Sequence, residues 1–367
     1  MTAPSTKAPG WRIGRLAGAP VYIGRSWFLV AGVIVVLFGP VVQNVLPDLG
    51  AWAYLVAGAF ALLLLVSVLV HEAAHALVGQ ACGYVVSRVV ADFWGGHTAY
   101  DSRDSTAGRS ALVAIAGPLA NAGLAGLGWL WLQQIETETQ TIAFLLAAGF
   151  TWANAFVAAF NLLPGLPLDG GFLVDSLVWK ITGSRALGMI VAGWSGRLVV
   201  VAVAWWLLGR PWLAGQELQM TNVLWLVVLG GFLWFGASDA IKVGHARRRL
   251  ESVRVRDYLT PVMTVPADST LTQLPPPAGQ LVMGTDSDGR PVGVLDPAAL
   301  NSVPREAWST TPVSTVLQHL PAGWVVPAAP EDDMTDVVIA IQTDHLPLVA
   351  VQDSDGHVHG VVRASDL

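Results

Sequence analysis

Cysteine is almost missing from this chain, with Cys82 standing alone among 367 residues. One thiol excludes an internal disulfide and a cysteine-rich zinc site, so any metal must be held by histidine and carboxylates. As a small, mostly apolar side chain, Cys82 reads as a packing residue. Charge is scarce as well. Charged residues make up 13% of the chain and hydrophobic ones 53%, against roughly 25% charged in soluble globular chains. The balance places the chain in the membrane class. A net charge of -6 leaves no basic stripe to track a phosphate backbone, which excludes nucleic acid as a partner. The first 26 residues carry Lys7, Arg12, Arg15 and Arg25, and no small-x-small cleavage signature follows them. An uncleaved first span is expected.

Long apolar runs are what the chain has in plenty. Stretches near the roughly 20 residues of a membrane span run from Trp27 to Leu46, Trp52 to Cys82, Ala111 to Leu132, Ile142 to Leu163, Leu187 to Leu208 and Val223 to Ile241. Basic residues alternate with the loops. They occupy the N-terminus, the second-to-third loop (Arg88, Arg103, Arg109), the next even loop (Lys180, Arg185) and the segment after the last span (Lys242, Arg247 to Arg249). The opposite loops hold Asp48, then Glu136 and Glu138, then Glu217, with Arg210 the one basic exception. The positive-inside bias therefore predicts a multi-pass cell-membrane protein with both termini cytoplasmic. Trp27, Trp52, Trp131, Trp206 and Trp212 fall near span ends, where indole rings favour the interface.

The pattern changes after residue 250, dividing the chain into a membrane domain, 1–250, and a soluble cytoplasmic α/β domain, 251–367. The latter contains two similar pieces, Val255 to Val303 and Thr311 to Leu367, each predicted as a short strand, a helix and a Val-rich hairpin. The pair resembles tandem CBS (cystathionine-β-synthase-type) modules, α/β regulatory units that often bind adenosine nucleotides. In that family a Gly, two apolar residues, a hydroxyl residue and an Asp three further on meet the ribose. Here the second piece reads Gly360-Val361-Val362-Arg363 with Asp366, and the first reads Gly293-Val294-Leu295-Asp296 with Ala299 in the acidic position. The resemblance thus implies at most one weak nucleotide site, through Arg363 and Asp366, beside a bare packing or homodimerisation role.

The second span contains His71-Glu72-Ala73-Ala74-His75. A helix sets positions i and i+4 on one face, so two imidazoles can grip one metal. The carboxylate next to the first His can serve as general base on water. Three ionisable groups in a span cost about 2.5 kcal/mol or more apiece at its centre and default to a functional reading. The plain alternative is a solvated extension of a long helix. A catalytic metal site needs a third protein ligand. Asp169 is the strongest candidate, in a stretch from Asn161 to Gly171 that two prolines and several glycines break. Backbone broken at membrane depth lines a cavity or is buried in protein. The competing role for Asp169 is a helix N-cap.

At this point the chain resembles the site-2 protease family of intramembrane metalloproteases, in its bacterial form with C-terminal CBS modules. The family carries HExxH in one span and N-x-x-P-x-x-x-x-D-G in another, matched here by His71, Glu72, His75, Asn161, Pro164, Asp169 and Gly170. The stretch FWGGHTAY and the stretch AGPLAN, residues 116–121, look like family landmarks, a hairpin near the substrate entrance and a tightly packed third-span start. Gly95, Gly96, Gly117 and Asn121 are then structural, and His97 is a turn residue. The family's frequent Arg after DGG is Phe172 here, and no PDZ-sized insertion fits between Ala81 and Ser110.

The resemblance implies about six transmembrane helices with Zn2+ held by His71, His75 and Asp169, and catalysis by Glu72 with Asn161. Its substrates would be transmembrane proteins in the lipid bilayer, such as trimmed anti-sigma factors or signal-peptide remnants. A rival reading from another class is a metal-ion transporter or channel with CBS regulation. It has no need of a non-ligating Glu after the first His. Asn154 and Asn161 are open between helix packing and contact with a bound peptide. Arg197 is either buried against a partner or a sign that the fifth span starts later.

Overall fold

The structure is a computed structural model. It describes residues 10–92, 95–101, 105–135, 141–274, 280–321 and 323–367, with only the backbone of 95–97 and 99–101. The chain divides into Met1–His245 and Ala246–Leu367.

The first unit opens with a hairpin, β1 (Gly10–Leu16) and β2 (Ala19–Gly24). Ala17 and Gly18 both have positive φ, 46° and 90°, the two-residue turn whose twist suits paired strands. The polar lead expected before the first span is therefore folded. Its short strands are interrupted by a register shift between Arg12 and Gly14, which hid them from a periodicity reading. β2 pairs in parallel with β3 (Val85–Asp92), and β3 pairs antiparallel with β4 (Gly95–Asp101), the hairpin expected around FWGGHTAY. Residues 93–94 and the His97 side chain lie outside the described residues, while the His97 backbone, in β4, pairs with Val90 of β3 and is not in a turn. Ala19, Val86 and Val89 pack with Ala76, fixing this sheet against the second span.

Six helices are long and apolar enough to span a membrane, and the chain is a multi-pass membrane protein. They begin with α1 (Trp27–Val45) and α2 (Ala53–Ala81), followed by α3 (Ala107–Leu132) and α4 (Ile142–Asn161). A shorter helix, α5 (Asp169–Thr182), precedes the fifth span. That span runs Arg185–Leu213, from α6 (Arg185–Ala204) through a π-helical turn into α7 (Arg210–Leu213). The sixth runs Met220–Glu251, from α8 (Met220–Trp225) through a second π-helical turn into α9 (Gly231–Glu251). Side-chain caps set three of the starts. Thr106, Thr141 and Ser184 accept from the backbone N–H of Arg109, Phe144 and Leu187, satisfying donors that a helix start leaves open. The third span thus begins four residues before the expected Ala111, because its first turn is capped, not apolar. The fifth helix begins at Arg185, twelve residues before Arg197.

Between α4 and α5 the backbone is irregular and enclosed. Leu166 N–H donates to Ala192 O of α6 at 3.1 Å, so a loop amide at span depth is satisfied by a neighbouring helix, as a bilayer demands. Gly165 is needed for that approach, since a Cβ there would strike the backbone of Gly196. The Leu166–Pro167 peptide is cis.

In the second unit β5 (Val262–Pro266), β6 (Leu281–Thr285) and β7 (Pro291–Leu295), followed by α10 (Pro297–Ser302), belong to the first piece. β8 (Leu317–Gln318) and β9 (Val325–Pro327) lead through α11 (Thr335–Asp344) to β10 (Leu348–Gln352) and β11 (Val358–Arg363) in the second. The sheets run β5-β6-β7-β8 and β11-β10-β9. β8 pairs with β7, and Val313, Val316 and Leu317 enter the core of the first piece. Reciprocally, Val255 is buried in the core of the second, and Thr260 bridges to Val361. The boundaries drawn between the repeats are corrected accordingly: each piece lends its opening segment to the other. Among the described residues, the segment between β5 and β6, where a helix is expected, forms a 3-10 turn, Leu271–Gln273.

Candidate active site

Four side chains from α2 and α5 converge. His71 and His75 sit one turn apart on α2, each 8% exposed, with Glu72 at 5% between them. Their Nε2 atoms are 3.1 Å apart, and the Asp169 carboxylate lies 3.2 Å from His71 Nε2 and 3.4 Å from His75 Nε2. Asp169 is the first residue of α5, the cap position is Leu168, and no side-chain cap bond forms. The capping role is thereby replaced by one facing the imidazoles.

The histidine tautomers follow from their other nitrogens. His71 Nδ1 meets the carboxamide oxygen of Asn121, and His75 Nδ1 meets Val113 O at 2.7 Å. Both partners accept only, so each Nδ1 carries a proton, and in the neutral form each ring turns its Nε2 lone pair inward. Two lone pairs and a carboxylate then face one another in a buried pocket, which repels unless a cation lies between them. Asp169 Oδ2 is buried without a hydrogen bond 3.2 Å from His71 Nε2, an acceptor that a bound cation would satisfy. A tetrahedral centre with arms of about 2.0–2.1 Å has edges of about 3.3–3.4 Å. The separations of 3.1, 3.2 and 3.4 Å fit that figure, and the three residues can offer one ligand atom each. Two neutral imidazoles and one carboxylate match the donor set of a zinc centre.

The approach of α3 completes the enclosure. A Cβ on Gly117 would run into the Nε2 atoms of His71 and His75, so only glycine leaves the centre of the group free. Asn121, one turn along the same helix, belongs to a relay that sequence reasoning missed. Its Nδ2 donates to Asn154 Oδ1 at 2.8 Å, and Asn154 Nδ2 donates to Ser67 Oγ at 3.0 Å and Phe150 O at 2.9 Å. Every orientation is forced, from Ser67 on α2 through α4 and α3 back to His71. The roles given to Asn121 and Asn154 as packing residues are thus widened. The available signal was Ser67 four residues before His71, on the same helix face.

Thr98 was missed too. Its hydroxyl lies 2.9 Å from Glu72 Oε2 and 3.2 Å from Glu72 O, tying the carboxylate to β4. Asn161, at the end of α4, lines the same cavity of about 720 Å³ as His71, Glu72 and Asp169, with Leu64, Val68 and Phe232 among its apolar walls. Arg363 and Asp366 belong to the other unit, where Asp366 accepts from its neighbour Ser365 at 3.0 Å.

Residues 133–203 match peptidase family M50, a stretch that includes Asn161 and Asp169 but not the His pair. Over 375 residues the chain is 28% identical to the zinc metalloprotease sll0528 of Synechocystis sp., covering 97% of this chain and 94% of that one. The chain is thus similar to a zinc metalloprotease over nearly its whole length. A zinc metalloprotease of Mycobacterium tuberculosis is also 28% identical, over 367 residues, with 97% and 91% covered. The solved site-2 protease of Methanocaldococcus jannaschii superposes with a TM-score of 0.43 at 19% identity, covering 63% of this chain and 94% of that one. The chain is a zinc metalloendopeptidase with a multi-pass membrane unit and a C-terminal α/β unit.

Replacing Asn121 by Leu should strip the acceptor from His71 Nδ1 and lower zinc affinity about 10–100-fold. Competition with a fluorescent chelator measures it, and an unchanged affinity would remove the relay from the metal site.

Proposed function

We propose that His71, His75 and Asp169 hold the zinc, that Glu72 is the general base and acid, and that Asn161 supports the developing oxyanion. The observation that carries the reading is the inward-facing pair of Nε2 lone pairs opposite the Asp169 carboxylate. Zinc, when bound, supplies Lewis acidity that polarises a scissile carbonyl and acidifies water. Glu72 takes a proton from the attacking water and delivers it to the leaving amine as the C–N bond breaks. Thr98 keeps the Glu72 carboxylate oriented by donating to Oε2. The Asn161 carboxamide, from the cavity wall, would donate to the carbonyl oxygen as its charge grows.

The chemistry also limits the substrate, because the scissile carbonyl must be free to reach the zinc. A spanning helix hides each carbonyl in an i to i-4 bond, so the substrate segment must unwind where it is cut. Single-span membrane proteins, such as trimmed anti-sigma factors or signal-peptide remnants, suit that demand. Zinc content should fall to background in His71→Ala and Asp169→Asn but persist in Glu72→Gln, while all three lose cleavage of a reconstituted membrane substrate. Thr98→Val should lower kcat with little change in KM, and Thr98→Ser should restore it. Cleavage by Glu72→Gln at the wild-type rate would overturn the mechanism.

Loop charge supports placing both termini in the cytoplasm. Single cysteines introduced into a Cys82→Ser background should label from outside at positions 48, 136 and 217 and from inside at 88 and 249. External labelling at 249 contradicts the orientation.

The CBS modules are the natural place for modulation, either by a nucleotide or through homodimerisation. Asp366 would hold a ribose hydroxyl and Arg363 a phosphate, while Ala299 removes the matching carboxylate from the first piece. Titration calorimetry of the purified chain with AMP, ADP and ATP should show no more than one weak site, lost in Asp366→Asn. Two tight sites would refute the residue argument, and no heat at millimolar ligand would leave the packing role.

A further inference from the structure

Arg197 is an intramembrane cation that the chemistry above does not use. It lies on α6 in the fifth span, with its guanidinium 4.8 Å from the Trp194 ring and 5.0 Å from the Trp234 ring of α9. A guanidinium has five N–H donors and no acceptor. One donor, from Nη2, reaches Ser238 Oγ at 3.0 Å, and that hydroxyl itself donates to Trp234 O. Nε is buried without a partner. The remaining three donors have no acceptor among the described residues, and none of those residues forms an ion pair with Arg197. In water such donors would be hydrated. At a membrane span they call for acceptors, and an anion supplies these together with the countercharge.

The surroundings say which anion. Met220 to Ser238 is 19 residues, about 28 Å of helix and so one hydrocarbon thickness. Ser238 therefore stands at the edge of the apolar core, with charged residues beginning at Asp239. Trp234, Ser238 and Lys242 succeed one another at four-residue steps on one face of α9, and Lys242 is exposed. Asp239 forms no ion pair with Arg197 or Lys242 in the structure. The two indoles, Trp194 at 52% and Trp234 at 41% exposure, flank the guanidinium at the level where amphipathic rings meet headgroups.

We propose that Arg197 and Lys242, bracketed by Trp194 and Trp234, form a headgroup site for an anionic phospholipid of the bilayer. Arg197 binds the phosphodiester through its free N–H groups. Lys242, one turn nearer the aqueous side, disfavours a zwitterionic lipid by repelling its choline cation. Basic pockets between transmembrane helices select anionic headgroups in this manner.

Native mass spectrometry of the full chain, titrated with phosphatidylglycerol or phosphatidylcholine, tests the site. The wild type should bind the first phosphatidylglycerol more tightly than phosphatidylcholine. Arg197→Gln and Lys242→Gln should each reduce that preference about fivefold, the loss expected for one basic residue near an anionic surface. Arg197→Lys should keep most of it, which separates lost charge from misfolding, and Lys242→Gln alters only an exposed side chain. Equal affinity of the wild type for the two lipids would overturn the proposal, as would an undiminished preference in the folded double variant.

Discussion

A polar atom at membrane depth must find its partner inside the protein, because the bilayer core supplies no water. Each imidazole of the His pair has two nitrogens to satisfy, and the outer nitrogen of each is bonded first, His71 to Asn121 and His75 to Val113 O. Those bonds leave the inner lone pairs facing Asp169, and that arrangement makes the site a cation trap. The relay through Asn154 and Ser67 means that the packing of α2, α3 and α4 sets the protonation state of a ring in the centre. Helix packing and metal affinity are therefore one problem here.

Backbone approach is the second requirement. Asp169 reaches the imidazoles because the chain between α4 and α5 folds closely against α6, with Gly165 against Gly196 and the Leu166 amide bonded to Ala192 O. Gly117 brings α3 up to the His pair at the one point where a Cβ would fill the metal position. Substituting alanine at either glycine would force apart elements whose spacing defines the site, a larger perturbation than the volume of one methyl group suggests.

The C-terminal unit rests on exchange between its halves. Val255 sits in the core of the second piece, and Val313, Val316 and Leu317 sit in that of the first. Neither half can then be completed without the other, which makes the pair a single cooperative module. A signal felt by one half has a covalent route into the other.

The sequence alone determined the membrane class, the approximate spans, the HExxH spacing and the α/β character of the C-terminal unit, because these depend on composition and on local periodicity; Asp169 stood there only as a candidate, and tertiary structure brought it to the imidazoles. His71 and His75 are one turn apart whatever the tertiary fold. The remaining assignments were decided only in three dimensions. Thr98 is 26 residues from Glu72, Asn121 is 50 from His71 and Asn154 is 87 from Ser67; no local pattern announces bonds across such separations. The N-terminal hairpin escaped because its strands are short and shifted in register. The exchanged segments escaped because a repeat read along the chain says nothing about which copy of a core its first strand will enter. Arg197 stood in the sequence as an unexplained charge, and only the packing of α6 on α9 showed its aromatic bracket and its unmatched donors. Local periodicity sets what a segment can be, whereas hydrogen-bond direction, tautomer and lone-pair geometry arise only when distant segments meet.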